Sequence, residues 1–143
     1  MIIKQLSIFI ENQTGRLAMV TDALASNNIN ISALSVADTK EFGILRLIVS
    51  DPDEAVKILR KEGVSVSLTD VMCLSVQHSP GTLANALKVL SECSISVEYM
   101  YAFAVGEKAS TIFKVNDIEK ALKCFEKSNL EVLKAEEVYK FSE

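Results

Sequence analysis

The sequence repeats itself at a constant offset of 66 residues, and this repeat constrains the fold more than any other feature. The segment Gly15-Arg16-Leu17-Ala18 returns as Gly81-Thr82-Leu83-Ala84, and the two halves align without an insertion. Other identical residues at this offset are Leu24 and Leu90, Ile29 and Ile95, Val49 and Val115, Asp51 and Asp117, Ala55 and Ala121, Lys57 and Lys123, and Val66 and Val132. The repeat predicts two copies of one structural unit, residues 1–70 and 71–143.

The hydrophobic pattern within each copy predicts the order strand, helix, strand, strand, helix, strand. In the first copy, Leu6, Ile8 and Ile10 occupy alternate positions, as in a half-buried strand. A helix start follows at residues 51–54 (DPDE), where the aspartate can cap free N–H groups and the proline suits the first turn. The βαββαβ order predicts an α+β fold of two tandem ferredoxin-like units, each an antiparallel sheet with both helices on one face.

Two further local signals concern the end of the second helix and the junction between the copies. Gly63 in the first copy and Asn129 in the second follow the predicted second helix, and both residues tolerate the left-handed backbone of a helix end. The stretch from Val64 to Gln77 reads as nearly unbroken strand across the junction of the copies. The sequence therefore predicts no flexible linker there.

Composition and charge argue against several classes of protein. The 143 residues are 49% hydrophobic and carry a net charge of −4, which offers no charge source for nucleic-acid phosphates or anionic lipids. No apolar run approaches the roughly 20 residues of a membrane span, and the N-terminus lacks the pattern of a signal peptide. Cys73, Cys93 and Cys124 are expected as small core residues without a disulfide framework, in a reducing cytoplasm. With one histidine, a His-rich metal site is not expected either.

The ferredoxin-like fold serves many functions, so the loop after the first strand of each copy must discriminate between them. A metal carrier would need two closely spaced cysteines in this loop. An RNA-recognition motif would need aromatic side chains that stack on bases, and an acyl-phosphate hydrolase would need an arginine in the loop to bind phosphate. The sequence offers Cys73 alone, no aromatic pattern in residues 42–49, and Arg16 without a counterpart in the second copy. Paired acids with a nucleophile and a phosphate loop are also missing. We therefore expect no enzyme, no catalytic residue and no cofactor.

The loops themselves carry a recognisable pattern. Residues 11–18 (ENQTGRLA) are followed after the helix by residues 27–32 (NNINIS), and residues 77–84 (QHSPGTLA) by residues 94–97 (SISV). Both copies closely resemble the ACT domain, the small-molecule sensing module of amino-acid pathway enzymes. The copies depart from the usual pattern at Thr14, where proline is common, at His78, where asparagine or aspartate is common, and at Ser96, which replaces an asparagine.

The resemblance implies a stand-alone regulatory protein that binds a free amino acid, or a similar small zwitterion, between ACT-like units. Carried over residue by residue, one half-site combines Asn12, Gln13, Thr14, Gly15, Arg16 and Leu17 with Ser94, Ile95, Ser96 and Val97. The other combines His78, Ser79, Pro80, Gly81, Thr82 and Leu83 with Asn30 and Ile31. The resemblance also implies a homodimer and a metabolic enzyme as partner, with no nucleic acid and no membrane.

Physical chemistry supports ligand binding but leaves simpler interpretations open. A glycine at a helix entry lets the backbone approach a ligand, and free first-turn N–H groups favour a carboxylate. Asn12 and Asn30 offer both a donor and an acceptor to a zwitterion. The same glycines can equally be turn residues and the asparagines local caps. The chain would then be a structural or partner-docking module without ligand binding.

Overall fold

Each copy of the repeat folds into the order of strands and helices that the sequence predicts. The computed structural model describes residues 1–11, 13–38, 41–105 and 107–140. The first copy consists of β1 (Ile3–Glu11), α1 (Arg16–Ser26), β2 (Ile31–Asp38), β3 (Phe42–Val49), α2 (Pro52–Lys61) and the beginning of β4 (Ser65–Gln77). The second copy consists of the rest of β4, then α3 (Thr82–Glu92), β5 (Val97–Val105), β6 (Lys108–Val115), α4 (Ile118–Lys127) and β7 (Glu131–Val132). A short helix, α5 (Ala135–Tyr139), follows. The predicted α+β fold of tandem βαββαβ units is confirmed.

The contacts divide the chain into two compact units, which exchange their terminal residues. Of the described residues, the first unit comprises Lys4–Thr69 and residues 136–140, and the second unit comprises Met1–Ile3 and Asp70–Ala135. Within the first unit, the backbone N–H of Lys4 donates a hydrogen bond to the hydroxyl of Tyr139 at 2.8 Å. Most of α5 therefore belongs to the first unit, although it follows the second in sequence.

The first unit packs α1 and α2 against one face of an antiparallel sheet. Strand β3 lies between β1 and β2, with Leu45 opposite Ile8 on one side and opposite Val36 on the other. Strand β4 lies beyond β1, where the hydroxyls of Ser7 and Thr69 share a 2.8 Å hydrogen bond. The core between sheet and helices includes Leu6, Ile8, Ile10, Val20, Leu24, Leu45, Leu47, Ala55 and Leu59. Each large aliphatic side chain in it contributes about 2 kcal/mol of burial.

The second unit repeats this arrangement with different side chains. Strand β4 lies between β6 and β7, and β5 lies beyond β6, all antiparallel. Helices α3 and α4 bury Leu90 and Phe125 against this sheet, and the rings of Phe113 and Phe125 lie 6.0 Å apart between centroids. A separate cluster of side chains therefore forms a core for this unit as well.

The helices begin in two different ways, and both ways recur at the offset of 66. Asp51 and Asp117 each accept a hydrogen bond from the backbone N–H three residues further on, at 3.1 and 3.2 Å, so α2 and α4 have aspartate N-caps. The cap predicted for α2 is confirmed. After these two helices, Gly63 (φ 76°) and Asn129 (φ 56°) adopt the expected left-handed backbone. Helices α1 and α3 begin instead at glycines, which the next subsection describes.

The expectation that all three cysteines stay unpaired is wrong. Cys93 and Cys124 form a disulfide, with 6.6 Å between their Cα atoms. Cys93 is the C-cap residue that follows α3, and Cys124 lies in α4. The packing of the two helices brings the thiols together, which their spacing in the sequence does not reveal. Cys73 is a buried free cysteine, as expected. Burial raises the pKa of its thiol to about 12, and a hydrogen bond with Ser110 opposes part of this effect.

Candidate functional site

The two loops that precede α1 and α3 have the same backbone geometry, and we call residues 11–17 and 77–83 the first and second glycine loops. Gly15 has φ 90° and ψ −8°, and Gly81 has φ 90° and ψ −14°. A side chain is strained at this φ, so the backbone itself requires glycine at both positions. Among the described residues, only chain neighbours lie within 4 Å of the place that a Cβ atom would take. The space beside each glycine is therefore open.

The backbone hydrogen bonds of the two loops also repeat. In the first loop, N–H groups donate from Gln13 to Glu11 (2.8 Å), from Arg16 to Gln13 (3.3 Å) and from Met19 to Gly15 (3.0 Å). In the second, they donate from Ser79 to Gln77 (2.9 Å), from Thr82 to Ser79 (3.4 Å) and from Asn85 to Gly81 (2.9 Å). In the described part of the chain, neither α1 nor α3 has a side-chain N-cap. The first turns of both helices thus resemble each other in the groups that they can offer to an anion.

The first glycine loop borders a cavity of about 420 Å³, which we call the first-loop cavity. The predicted site residues Gln13, Thr14, Gly15, Arg16 and Leu17 line it together with Ile10, Glu11, Val36 and Gly43. The guanidinium of Arg16 lies 3.5 Å from the carboxylate of Glu11, and both side chains are about half exposed. Leu17 and Val36 are exposed too, so the rim is partly apolar. Asn12, another predicted site residue, lies outside the described residues.

The second glycine loop borders a larger cavity of about 480 Å³, which we call the polar cavity. Its lining consists of Ser75, Val76, Gln77, Pro80, Gly81, Thr82, Asn85, Lys108, Asn129, Leu130 and Glu131. Three predicted residues, Pro80, Gly81 and Thr82, are part of this lining, whereas His78, Ser79 and Leu83 are not. The backbone N–H of His78 donates to the carbonyl oxygen of Glu107 at 2.7 Å and so ties the loop to the start of β6.

Asn30 and Ser96, the other predicted polar positions, hold the starts of β2 and β5. Asn30 donates its backbone N–H to Ser50 Oγ at 3.0 Å and accepts at its carbonyl from the Ser50 N–H at 2.9 Å. Ser96 makes the same two bonds with Asn116, at 3.0 and 3.1 Å. The start of β2 pairs with the end of β3, whereas the end of β1 pairs with the start of β3. Asn30 therefore does not lie at the glycine loop of its own unit. Ser96 corresponds to Asn30 at the offset of 66, so it does not lie at the glycine loop of its own unit either.

The remaining predicted site residues lie beside Asn30 and Ser96 in the sequence. Ile31 and Val97 are half-buried where β2 and β5 begin, and Ile95 is buried in the core of the second unit. Ser94 has a left-handed backbone, with φ 58°. The predicted role of all four in ligand binding stays a prediction.

Two other kinds of function lack support in residues 1–11, 13–38, 41–105 and 107–140. Within these ranges, no group of three or more His, Cys, Asp and Glu side chains is placed to hold a metal ion. The helices found there are too short or too polar to cross a membrane.

Comparison with known families accounts for the repeated architecture. The family described as the ACT domain pair matches residues 1–142, nearly the whole chain. The chain belongs to the ACT domain pair family. An ACT domain pair is a regulatory module. A comparison with curated proteins gives no match.

Solved structures share the fold of this ACT domain pair. A protein from Bacteroides thetaiotaomicron is 44% identical, with a TM-score of 0.96 over 98% of this chain and 97% of its own. The regulatory subunit of aspartate kinase from Thermus thermophilus, in its ligand-free form, is 16% identical, with a TM-score of 0.66 over 89% and 93%. That from Thermus flavus is 18% identical, with a TM-score of 0.61 over 89% and 94%. The two kinase subunits are similar to this chain in fold alone.

The ACT fold brings to the polar cavity several polar residues from outside the loop, which the sequence pattern does not mark as site residues. Asn85 lies in α3, Lys108 begins β6, Asn129 follows α4, and Glu131 begins β7. The ammonium of Lys108 lies 3.0 Å from the carboxylate of Glu131. The repeat contained a signal for this pair, because Lys108 stands where the first copy has Phe42, a change from aromatic to charged.

Proposed function

We propose that this ACT domain pair is a regulatory protein that binds a free amino acid, or a similar small zwitterion, at its glycine loops and catalyses no reaction. The observation that carries the proposal is the shared geometry of the loops. Each has a left-handed glycine, a helix start without a described side-chain cap, and an adjoining cavity. Volumes of about 420 and 480 Å³ are typical of small-molecule sites, which span roughly 300–1,000 Å³.

The chemistry of the loops suits a carboxylate next to an ammonium group. First-turn N–H groups have no partner within their helix and lie at the positive end of its dipole, so they favour the carboxylate. The open space beside Gly15 and Gly81 lets a ligand come close to the backbone. Carbonyl and side-chain oxygens of the loops can accept the ammonium hydrogens. The proposed contributions of Ser94 to Val97 to one site, and of Asn30 and Ile31 to the other, follow from the family resemblance.

A regulatory protein needs a target, and we propose a metabolic enzyme. Support comes from the two regulatory subunits of aspartate kinase that share the ACT fold, because each is named for an enzyme that it serves. This chain would then bind the amino acid, and the partner enzyme would catalyse the reaction.

We also propose that the chain forms a homodimer. Strand β2 lies at the edge of the sheet, and its side chains Leu34 and Val36 are 55% and 44% exposed. Exposed apolar residues on an edge strand favour pairing with another chain. A molar mass near twice 15.7 kDa by light scattering would support the dimer, and a mass near 15.7 kDa at micromolar concentration would contradict it.

Thermal unfolding and calorimetry with each of the twenty standard amino acids test the main proposal. A ligand that binds the folded chain stabilises it by mass action, by about 2.7 kcal/mol at a hundredfold excess over its Kd. We expect one amino acid, or a small related group, to raise the melting temperature. The Gly15→Val and Gly81→Val variants should each remove binding at one loop, because a branched side chain would fill the open space and strain the backbone.

The matched control is Asn28→Val. Asn28 has a left-handed backbone (φ 57°), so valine is strained there as well, but it lies outside both glycine loops. This variant should bind like the wild type. Wild-type binding in both glycine variants would show that the loops are only turns. A melting temperature that no amino acid changes would favour the docking module, for which the exposed Leu34 and Val36 are the supporting observation.

A further inference from the structure

The polar cavity of the second unit has a counterpart in the first unit. This counterpart, which we call the aromatic cavity, has a volume of about 360 Å³, and its lining includes Phe9, Met19, Phe42 and Ser65. Nine of its lining positions correspond, at the offset of 66, to lining positions of the polar cavity. The repeat therefore builds the same cavity twice, between the end of one strand and the turn that follows the second helix.

The side chains of the two cavities differ at all nine corresponding positions. Ser75, Lys108 and Glu131 of the polar cavity stand where the aromatic cavity has Phe9, Phe42 and Ser65. The rings of Phe9 and Phe42 lie 5.8 Å apart between centroids, and Phe42 stands in the place of Lys108 of the second unit's ion pair. The aromatic cavity thus has two aromatic rings besides its own ion pair of Glu11 and Arg16, whereas the charges of the polar cavity lie on Lys108 and Glu131.

The ion pair of the polar cavity is held by three neighbouring strands. Lys108 lies opposite Gln77 on one side of β4, and Glu131 lies opposite Ser75 on the other side. Because Ser75 and Gln77 are two residues apart in a strand, they share a face, and the two charges lie across β4 on that face. The Lys108 and Glu131 side chains are 54% and 56% exposed, so a solute can reach both. An ion pair this exposed is weak and costs little to separate.

We propose that the polar cavity binds a free amino acid with an uncharged polar side chain, whose carboxylate contacts Lys108 together with the first-turn N–H groups of α3 and whose ammonium contacts Glu131. This inference rests on the proposed function and names the ligand class of the second unit. A zwitterion replaces one exposed ion pair by two, since its opposite charges match both side chains at once. A dicarboxylate or a diamine leaves one of the two charges unmatched, as does a molecule with a single charged group.

The rest of the lining selects the side chain of the ligand. Gln77, Asn85 and Asn129 supply amide groups and Thr82 supplies a hydroxyl, all without net charge. Lys108 and Glu131 are the two charged residues of the described lining, so a further charge on the ligand has no opposite charge to meet. Val76, Pro80 and Leu130 supply the apolar contacts. Serine, threonine, asparagine and glutamine are the amino acids that fit this description.

Calorimetry on the full chain tests the assignment in a Gly15→Val background, which leaves the second glycine loop intact. L-serine, L-threonine, L-asparagine and L-glutamine are the probes, compared with the other standard amino acids. We expect the tightest-binding amino acid to be one of these four. Its N-acetyl derivative, which lacks the ammonium, and its amide, which lacks the carboxylate, should each bind at least about tenfold more weakly. The Lys108→Met and Glu131→Gln variants should lose a similar factor, and Lys108→Met should no longer distinguish the free acid from its amide.

A second ion pair of the same unit provides the matched control. Lys114 lies 2.8 Å from Glu98, and neither residue lines the polar cavity. The Lys114→Met variant should bind like the wild type. If an amino acid binds and Lys108→Met and Glu131→Gln keep wild-type affinity, the assignment is overturned while the proposed function stands. A charged or apolar amino acid as the tightest ligand overturns the assignment as well. If none of the twenty binds in the Gly15→Val background, the assignment fails, and if none binds the wild type either, both proposals fail.

Discussion

Cys93 at the end of α3 is joined by a disulfide to Cys124 in α4, 31 residues further along the chain. At the offset of 66, the first unit has Asn27 and Ile58 in these places, so its two helices pack without such a bond. A disulfide restricts the unfolded chain, and a loop of this length is worth roughly 2 to 4 kcal/mol. We expect a reductant to lower the free energy of unfolding by that amount, measured by urea titration followed by circular dichroism.

The control for the disulfide prediction is Cys73→Ala, which removes the remaining thiol. Its stability should respond to the reductant as the wild type does, whereas Cys93→Ala should not respond. Thiol counting after denaturation should detect one free thiol without reductant and three with it. Identical unfolding midpoints for the wild type with and without reductant would contradict the prediction.

The buried thiol of Cys73 makes stability depend on alkaline pH. Burial raises its pKa from 9.0 to about 12 in the folded chain. Below pH 9 the thiol is protonated in both the folded and the unfolded state, so it contributes no pH dependence. Between pH 9 and about 12 the unfolded state loses the proton first and is favoured, so stability should fall by up to about 1.4 kcal/mol per pH unit.

Denaturant titrations from pH 8 to pH 11 on the wild type and Cys73→Ala measure this effect. Alanine removes the titrating group, so the difference in stability between the two proteins should change with pH above 9 and stay constant below it. Parallel curves over the whole range would show that the thiol does not control the alkaline loss of stability.

The aspartate N-caps of α2 and α4 should each stabilise the fold by a similar amount. Asp51→Ala and Asp117→Ala remove the acceptors of the 3.1 and 3.2 Å hydrogen bonds and should each cost about 1 kcal/mol. Asp53→Ala is the control, because Asp53 lies in the first turn of α2 but is not its N-cap residue. Chemical denaturation distinguishes the variants, and an equal cost for Asp53→Ala would argue against a capping role.

Ser94 offers a site for a stabilising substitution. Its backbone has φ 58°, a conformation that glycine adopts more readily than serine. Ser94→Gly should therefore raise the free energy of unfolding by up to about 1 kcal/mol. Ser91→Gly, within helix α3, is the opposing control and should lower it by about 0.5 to 1 kcal/mol. A loss of stability in Ser94→Gly would mean that the serine side chain contributes more than the backbone strain costs.

The elements of the fold were predictable because short-range chemistry determines them. The alternation of Leu6, Ile8 and Ile10 indicates β1, and Asp51 indicates the start of α2. The nearly unbroken strand pattern from Val64 to Gln77 indicates the continuous strand β4. Each signal depends on residues close together in sequence. The glycine loops were predictable for the same reason, since a left-handed φ favours glycine wherever it occurs.

Contacts between side chains that are far apart in the chain depended on the tertiary structure. The sequence contains Cys93 and Cys124, or Lys108 and Glu131, without indicating that either pair meets. The disulfide arises because α3 and α4 pack on the same sheet face, and the ion pair arises because β6 and β7 flank β4. Local preferences decide which elements form, whereas the pairing of strands and the packing of helices decide which side chains come within bonding distance. The sequence by itself therefore determined the ACT fold and its loops, and the tertiary structure decided the composition of the polar cavity.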